Sequence, residues 1–201
     1  MKKLGILLVA LAIAIPAFAA DKLGLGVDHA LASSLQNERE AAMRYEAFMA
    51  RAEQDGYPGA ANLFRACAKA ERIHARRFKA ALEKYGAAVP AEQAYTPSVG
   101  DTRANLRAAM SAEQTERDST YREATETAKA GRNPDIAKLF DVTRDTETEH
   151  ANLLASATNS LEKLKQPKAY WVCSDCGFTT DVRLPLCPSC RASHELERVE
   201  P

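Results

Sequence analysis

The sequence predicts an all-α four-helix bundle followed by a small four-cysteine metal module. Three observations predict it: four long amphipathic stretches separated by turn signals, a repeat of chemistry-bearing residues 75–76 positions apart, and two Cys-x-x-Cys pairs near the C-terminus. Composition agrees. With 201 residues, 46% hydrophobic and 27% charged, the chain is long enough to bury a core and is not a disordered one. Aromatics are only 6%, glycines only 9, and alanine is frequent, which favours helices over a β-sandwich or barrel. No GxGxxG occurs, which argues against a doubly wound dinucleotide fold. Basic and acidic residues balance at 27 each, so no global positive field invites nucleic acid.

Lys2 and Lys3 precede an uncharged run from Leu4 to Ala20, and Ala17-Phe18-Ala19 supplies the small-x-small pattern read by a signal peptidase. Residues 1–19 therefore read as a secretory signal peptide, cut after Ala19 or Ala20. The run is 17 residues, short for a membrane span, so a retained inner-membrane anchor is the less favoured reading. No cysteine follows the run and no twin arginine precedes it, so general secretion to the periplasm or beyond is expected.

The bundle is expected over residues 20–166. Its first helix runs from about His29 to Gln54 and ends at Asp55-Gly56-Tyr57-Pro58-Gly59, a strong turn signal. The second runs from Ala60 to Tyr85, with Gly86 as its C-cap. A connector with Pro90, Pro97 and Gly100 leads to Asp101 or Thr102, the N-cap of a third helix that stops at Gly131. Asn133-Pro134 is a cap followed by a first-turn proline, and the fourth helix continues to about Lys165 before Pro167. Lengths of about 40 Å suit a bundle rather than a compact mixed fold.

The repeat pairs Leu63-Phe64 with Leu139-Phe140, and Glu71 and His74 with Glu147 and His150, all at an offset of 76; Glu38 pairs with Glu113 at 75. These acids and imidazoles interrupt apolar stripes: Phe64, Cys67, Glu71, His74, Phe78, Leu82 on the second helix, and Ile136, Phe140, Thr143, Glu147, His150, Leu154 on the fourth. Glu38 continues a stripe from Leu31 and Leu35; Glu113 and Glu116 follow Leu106 and Ala109. Burying several carboxylates together is very costly unless positive charge joins them, and no arginine occupies a stripe position. Metal ions meet the need. A glutamate from each of two helices plus a Glu-x-x-His from each of the other two is the ligand set of a di-iron or di-manganese bundle, and oxygen with imidazole suits either metal. One Glu-x-x-His is weak by itself; two in register with Glu38 and Glu113 are not. Glu116 has Ala41 as its repeat counterpart, so it is either an asymmetric ligand or a solvated acid. Tyr45 and Tyr121 lie on nearly the ligand face, as hydrogen-bond donors to the carboxylates or as packed bundle tyrosines.

Over residues 167–201, Cys173-Ser174-Asp175-Cys176-Gly177 and Cys187-Pro188-Ser189-Cys190 form a four-thiolate signature for zinc or a single iron, against which two disulfides are the rival. So short a segment has almost no apolar core, and metal must supply much of its folding energy. Cys67 reads as a small buried hydrophobe, and His29 and His194 as solvent-facing.

The combination resembles the rubrerythrin family: a ferritin-like di-iron bundle followed by a rubredoxin-like iron domain. The matching motifs are Asn37-Glu38-Arg39-Glu40-Ala41 with Tyr45, Glu71-Arg72-Ile73-His74, Glu113-Gln114-Thr115-Glu116 with Tyr121, Glu147-Thr148-Glu149-His150, and Trp171-Val172-Cys173-Ser174-Asp175-Cys176-Gly177. The resemblance implies two irons in the bundle and one in the tail. It makes Glu71 and Glu147 bridging ligands, Glu38 and Glu113 terminal ligands and His150 the ligand near Glu113, with Glu116 and His74 exchanging at the other iron. It further implies reduction of hydrogen peroxide to water, electrons relayed by Cys173, Cys176, Cys187 and Cys190 from an unidentified donor, and a head-to-tail homodimer. Two departures stand out. Asn37 and Ala112 occupy positions where the family often has glycine, and an export signal would put cytoplasmic nicotinamide-linked donors out of reach. The rival expectations are an oxygen-using, ferroxidase-like iron handler and a non-catalytic metal-binding protein with zinc in the tail.

Overall fold

The computed structural model describes residues 22–194 and 196–199, so the expected signal peptide lies outside the described residues. Helix α1 spans Val27–Gln54 and α2 Pro58–Lys84, the latter with proline in its first turn. The third bundle helix is composite: α3 (Thr102–Thr115), a π-helical turn (Glu116–Thr120) and α4 (Tyr121–Ala130). Helix α5 spans Pro134–Asn159, and the stretch expected to extend it to Lys165 is instead a 3-10 turn, Leu161–Lys165. Among the described residues no helix is long and apolar enough to cross a membrane.

Local chemistry accounts for the boundaries. Asp101 caps α3, its carboxylate accepting from the amide of Ala104 at 2.8 Å. Gly86, at φ 65°, closes α2 in the left-handed conformation, with the amide of Ala87 reaching Leu82 O at 2.9 Å. Asn133 precedes α5, but its side chain does not cap that helix. It binds the start of the described chain instead, accepting from Gly24 N at 2.8 Å and donating to Lys22 O at 3.3 Å.

Two helical hairpins, α1/α2 and α3–α4/α5, face each other with one apolar cluster towards each end. One contains Phe48, Leu63, Phe64, Leu106 and Leu154; the other contains Leu31, Leu35, Phe78, Leu82 and Phe140. The repeat is visible in the packing. Tyr45 lies 6.0 Å from Phe64, and its counterpart Tyr121 lies 6.2 Å from Phe140, ring centre to ring centre. The polar layer sits between the two clusters.

The C-terminal module carries a three-stranded antiparallel sheet ordered β2-β1-β3, from β1 (Tyr170–Val172), β2 (Thr179–Thr180) and β3 (Glu197–Val199). It packs on its own chain's bundle. Tyr170, Val172 and Val199 enter the first apolar cluster, and the buried amide of Asn62 donates to Lys168 O at 2.7 Å and Val199 O at 3.2 Å.

Candidate metal centres

Glu38 on α1, Glu71 and His74 on α2, Glu113 on α3, and Glu147 and His150 on α5 are all wholly buried. Their donor atoms form two groups: Glu38, Glu71, His74 and Glu147, and Glu71, Glu113, Glu147 and His150, each within 4.8 Å. Glu71 and Glu147 belong to both. Nδ1 of His74 lies 2.8 Å from Glu71, 3.1 Å from Glu147 and 3.6 Å from Glu38. Nδ1 of His150 lies 2.9 Å from Glu147, 3.4 Å from Glu71 and 3.6 Å from Glu113. The structure thus brings together six of the expected bundle ligands in a pseudo-twofold arrangement.

The donor atoms fit metal ions better than they fit one another. Both oxygens of Glu71 and of Glu147, Oε2 of Glu38, Glu113 and Glu116, and Nδ1 of both histidines are buried without an aligned hydrogen bond. Buried polar atoms are normally satisfied. Atoms this close yet unaligned have lone pairs converging on shared points, as ligands do around a cation. Glu38, Glu71, Glu113 and Glu147 supply four negative charges, which two divalent ions balance, and hard oxygen with imidazole matches iron.

Protonation in the polypeptide alone shows the same demand for positive charge. Burial, then the Glu71 charge, pushes Glu38 well above the ordinary carboxylate range; burial, with Glu71 and Glu147, pushes Glu113 up to about 8. Burial also opposes ionisation of Glu71, but His150 and His74 together outweigh it and hold that carboxyl low. Both imidazoles are raised, because the surrounding carboxylates overcome the burial that would discharge them.

The phenols cross over. Tyr45 donates to Oε1 of Glu113 and Tyr121 to Oε1 of Glu38, so each tyrosine holds the glutamate of the opposite half. Tyr121 gets there because of the π turn. Tyr45 follows Glu38 by seven residues and Tyr121 follows Glu113 by eight. At 3.6 residues per turn, eight residues would leave Tyr121 about 80° off the ligand face. The wide turn, with Tyr121 N bonding to Glu116 O, absorbs the surplus residue. Glu116 opens that turn. As a residue it is half-buried, yet its Oε2 is shut off from solvent and its carboxyl is raised by burial and by Glu113. Of the two readings of Glu116, the solvated acid is the one the structure disfavours.

In the tail, Cys173 and Cys190 sulfurs lie 3.7 Å apart and Cys176 and Cys187 sulfurs 3.6 Å apart, and all are free thiols. Disulfide bonding is far shorter, about 2.05 Å. A tetrahedron with metal–sulfur bonds of about 2.3 Å has edges of about 3.8 Å, so the four sulfurs are set out for a metal. Each knuckle turns on a left-handed residue four after its first cysteine: Gly177 at φ 84° and Arg191 at φ 63°.

The tail also reaches the bundle histidines. His74 Nε2 donates to the carbonyl of Cys176 at 2.9 Å, and His150 Nε2 meets Thr179 Oγ1 at 3.1 Å. Gly177 is required for this approach, because a Cβ there would lie 2.5 Å from His74 Nε2. Thr146 and Thr179 have no part in the sequence-derived site. The only hint in the chain is that Thr146 is a polar residue on a core-facing stripe. Cys67 is buried, its thiol pushed up by burial, consistent with a packed hydrophobe. His29 and His194 are exposed, as is Asn37, while Ala112 is half-buried.

Comparison with known proteins agrees with this geometry. Residues 29–158 match the family model described as Rubrerythrin. A rubrerythrin of Clostridium perfringens is 31% identical over 169 residues, covering 80% of this chain and 87% of its own. Rubrerythrin-2 of Clostridium acetobutylicum is 32% identical over 168 residues, covering 80% and 89%. Among solved structures, nigerythrin in its fully reduced, all-ferrous state superposes with a TM-score of 0.76 at 23% identity over 96% of both chains, a likeness of fold. The bacterioferritin BfrA of Mycobacterium tuberculosis aligns with a TM-score of 0.65 at 17% identity over 71% of this chain and 90% of its own, which marks the bundle as ferritin-like. With its carboxylate–histidine pair of sites, its four-cysteine tail and these relatives, the chain belongs to the rubrerythrin family of di-iron proteins.

Proposed function

We propose that this iron oxidoreductase is an exported peroxidase that reduces hydrogen peroxide to water (H2O2 + 2 H+ + 2 e− → 2 H2O), taking electrons singly from an external one-electron donor. The observation that carries the reading is the 2.9 Å hydrogen bond from His74 Nε2 to the carbonyl of Cys176, which couples a ligand residue of one centre to a ligand residue of the other. When bound, the bundle irons supply the electron pair that cleaves a peroxide O–O bond, and the tail iron replaces those electrons one at a time.

The chain's own groups do the rest. Glu71 and Glu147 span both positions, and Tyr45 and Tyr121 fix the outer carboxylates so that their oxygens need not reorient as charge changes. Glu116 offers a further buried, unpartnered carboxylate oxygen, Oε2, which fits the ligand that would exchange with His74. The Lys2-Lys3 and Ala17-Phe18-Ala19 pattern supports export. A head-to-tail homodimer belongs to the proposal: a second copy carries an identical tail, and the seat around Asn62 and His74 is where that tail would dock.

Anaerobically reduced protein mixed with peroxide or oxygen in stopped flow tests the reading. Reoxidation is expected to be faster with peroxide; faster reoxidation by oxygen would replace the proposal with the ferroxidase-like one. Mixing Glu71→Ala chains with Cys176→Ser chains restores turnover if tails serve partner bundles, and no recovery rules the head-to-tail arrangement out. Mass spectrometry of natively exported protein should find the chain starting at Ala20 or Asp21.

A further inference from the structure

We propose that Thr179, a residue of the tail, is the positioning residue for His150, so that one half of the bundle's metal pair is completed by the C-terminal module. The hydroxyl of Thr179 donates to Gly177 O at 3.0 Å. A hydroxyl has one hydrogen, so towards His150 Nε2, 3.1 Å away, Thr179 Oγ1 can only accept. In the neutral form that binds metal, His150 must then carry its hydrogen on Nε2, which leaves the Nδ1 lone pair facing Glu71, Glu113 and Glu147. Thr179 is wholly buried and held in register opposite Val172 of β1.

The repeat explains why the tail is needed. His74 has two acceptors at Nε2: Cys176 O at 2.9 Å, and Thr146 Oγ1 at 2.9 Å, whose own hydrogen goes to Thr143 O. Thr146 lies on α5, and its counterpart 76 residues earlier on α2 is Ala70, which has no hydroxyl. The bundle therefore provides an acceptor for one histidine only. Among the described residues, Thr179 is the acceptor of the other.

The test compares Thr179→Val, which keeps the shape and removes the hydroxyl, with Thr179→Ser, which keeps the hydroxyl, and with Thr146→Val. Each full-length protein is titrated anaerobically with ferrous ion or Co(II) against a chelator, and the Co(II) form is examined by proton NMR for the exchangeable Nε2 hydrogens. Tail absorption reports whether the module is intact. Thr179→Val is expected to weaken one of the two bundle equivalents by about tenfold or more and to lose one protected Nε2 resonance, with tail absorption unchanged. Thr179→Ser restores both, and Thr146→Val changes less, because His74 retains Cys176. Wild-type affinity and both resonances in Thr179→Val, or no recovery in Thr179→Ser, would overturn the proposal. Should valine disturb the module, as lost tail absorption would reveal, Thr179→Ala carries the same expectation. These readouts do not depend on which oxidant the centre reduces.

Discussion

Replacing Gly177 by alanine attacks the contact between the two centres at its tightest point. The new Cβ would sit 2.5 Å from His74 Nε2, 2.9 Å from its Cδ2 and 3.2 Å from Ala70 O, on a residue at φ 84°. Left-handed backbone costs a non-glycine residue about 1–2 kcal/mol. Relieving the overlap requires a retreat of about 1 Å, which takes the 2.9 Å bond between Cys176 and His74 out of range and forfeits about 1 kcal/mol more. Together the substitution should disfavour the docked tail by about 2–3 kcal/mol, or about 30- to 140-fold in the docked-to-open ratio. Two measurements follow: amide exchange of β1 and β3 on loaded protein, and the rate at which tail absorption returns when fully reduced protein is reoxidised by peroxide. Faster exchange and slower transfer are expected. Wild-type exchange together with a wild-type transfer rate would refute the argument that this glycine sets the distance between the centres.

Three further outcomes follow from the site. Glu71→Ala removes a carboxylate common to both positions, so both bundle equivalents should fall in metal analysis while tail colour persists; loss of only one would contradict the shared placement. In metal-stripped protein, burial, then Glu71 and Glu147, lifts Glu113 to about 8, so the folded state holds a proton that the unfolded chain has already released. Stability from this group is complete below the ordinary carboxylate range and is lost as pH rises through about 8. Melting temperatures of the stripped protein should therefore decline there, and a flat profile would count against a buried, protonated Glu113. Tyr121→Phe leaves Glu38 Oε1 without its donor and should destabilise the fold by about 1–3 kcal/mol; urea denaturation with an unchanged midpoint would argue that the phenol is merely packed.

The bundle and its ligands were legible because burial and periodicity are local properties. Glutamates and histidines at stripe positions declare themselves when they recur at one offset on separate helices. The π turn was legible too, in one digit: Tyr45 and Tyr121 are 76 apart, whereas Glu38 and Glu113 are 75 apart, so one residue is gained between Glu113 and Tyr121. What periodicity does not carry is which neighbour a side chain meets across the bundle. Tyr45 follows Glu38 on nearly the same face of its helix, yet it serves Glu113, because a phenol reaches outward to the facing helix rather than along its own. Asn133 had the chemistry of a cap but found better partners in Lys22 and Gly24. The tail's docking was hidden for the same reason. No local pattern ties Thr179 or Gly177 to histidines more than 25 residues away, and only the folded surface does.

The extra residue within the third helix has an evolutionary implication. A duplicated hairpin begins with matching halves, and substitution alone alters them one group at a time. One residue more in this half than in the other displaces a short arc of helix while what lies beyond stays in phase, since one wide turn takes up the surplus. The ancestral pocket could thus become lopsided, with Glu116 brought to one flank, without re-engineering a single interhelical seam. Where a gene duplication has produced a buried pocket of this kind, small insertions within helices deserve to be read as inventions and not as scars.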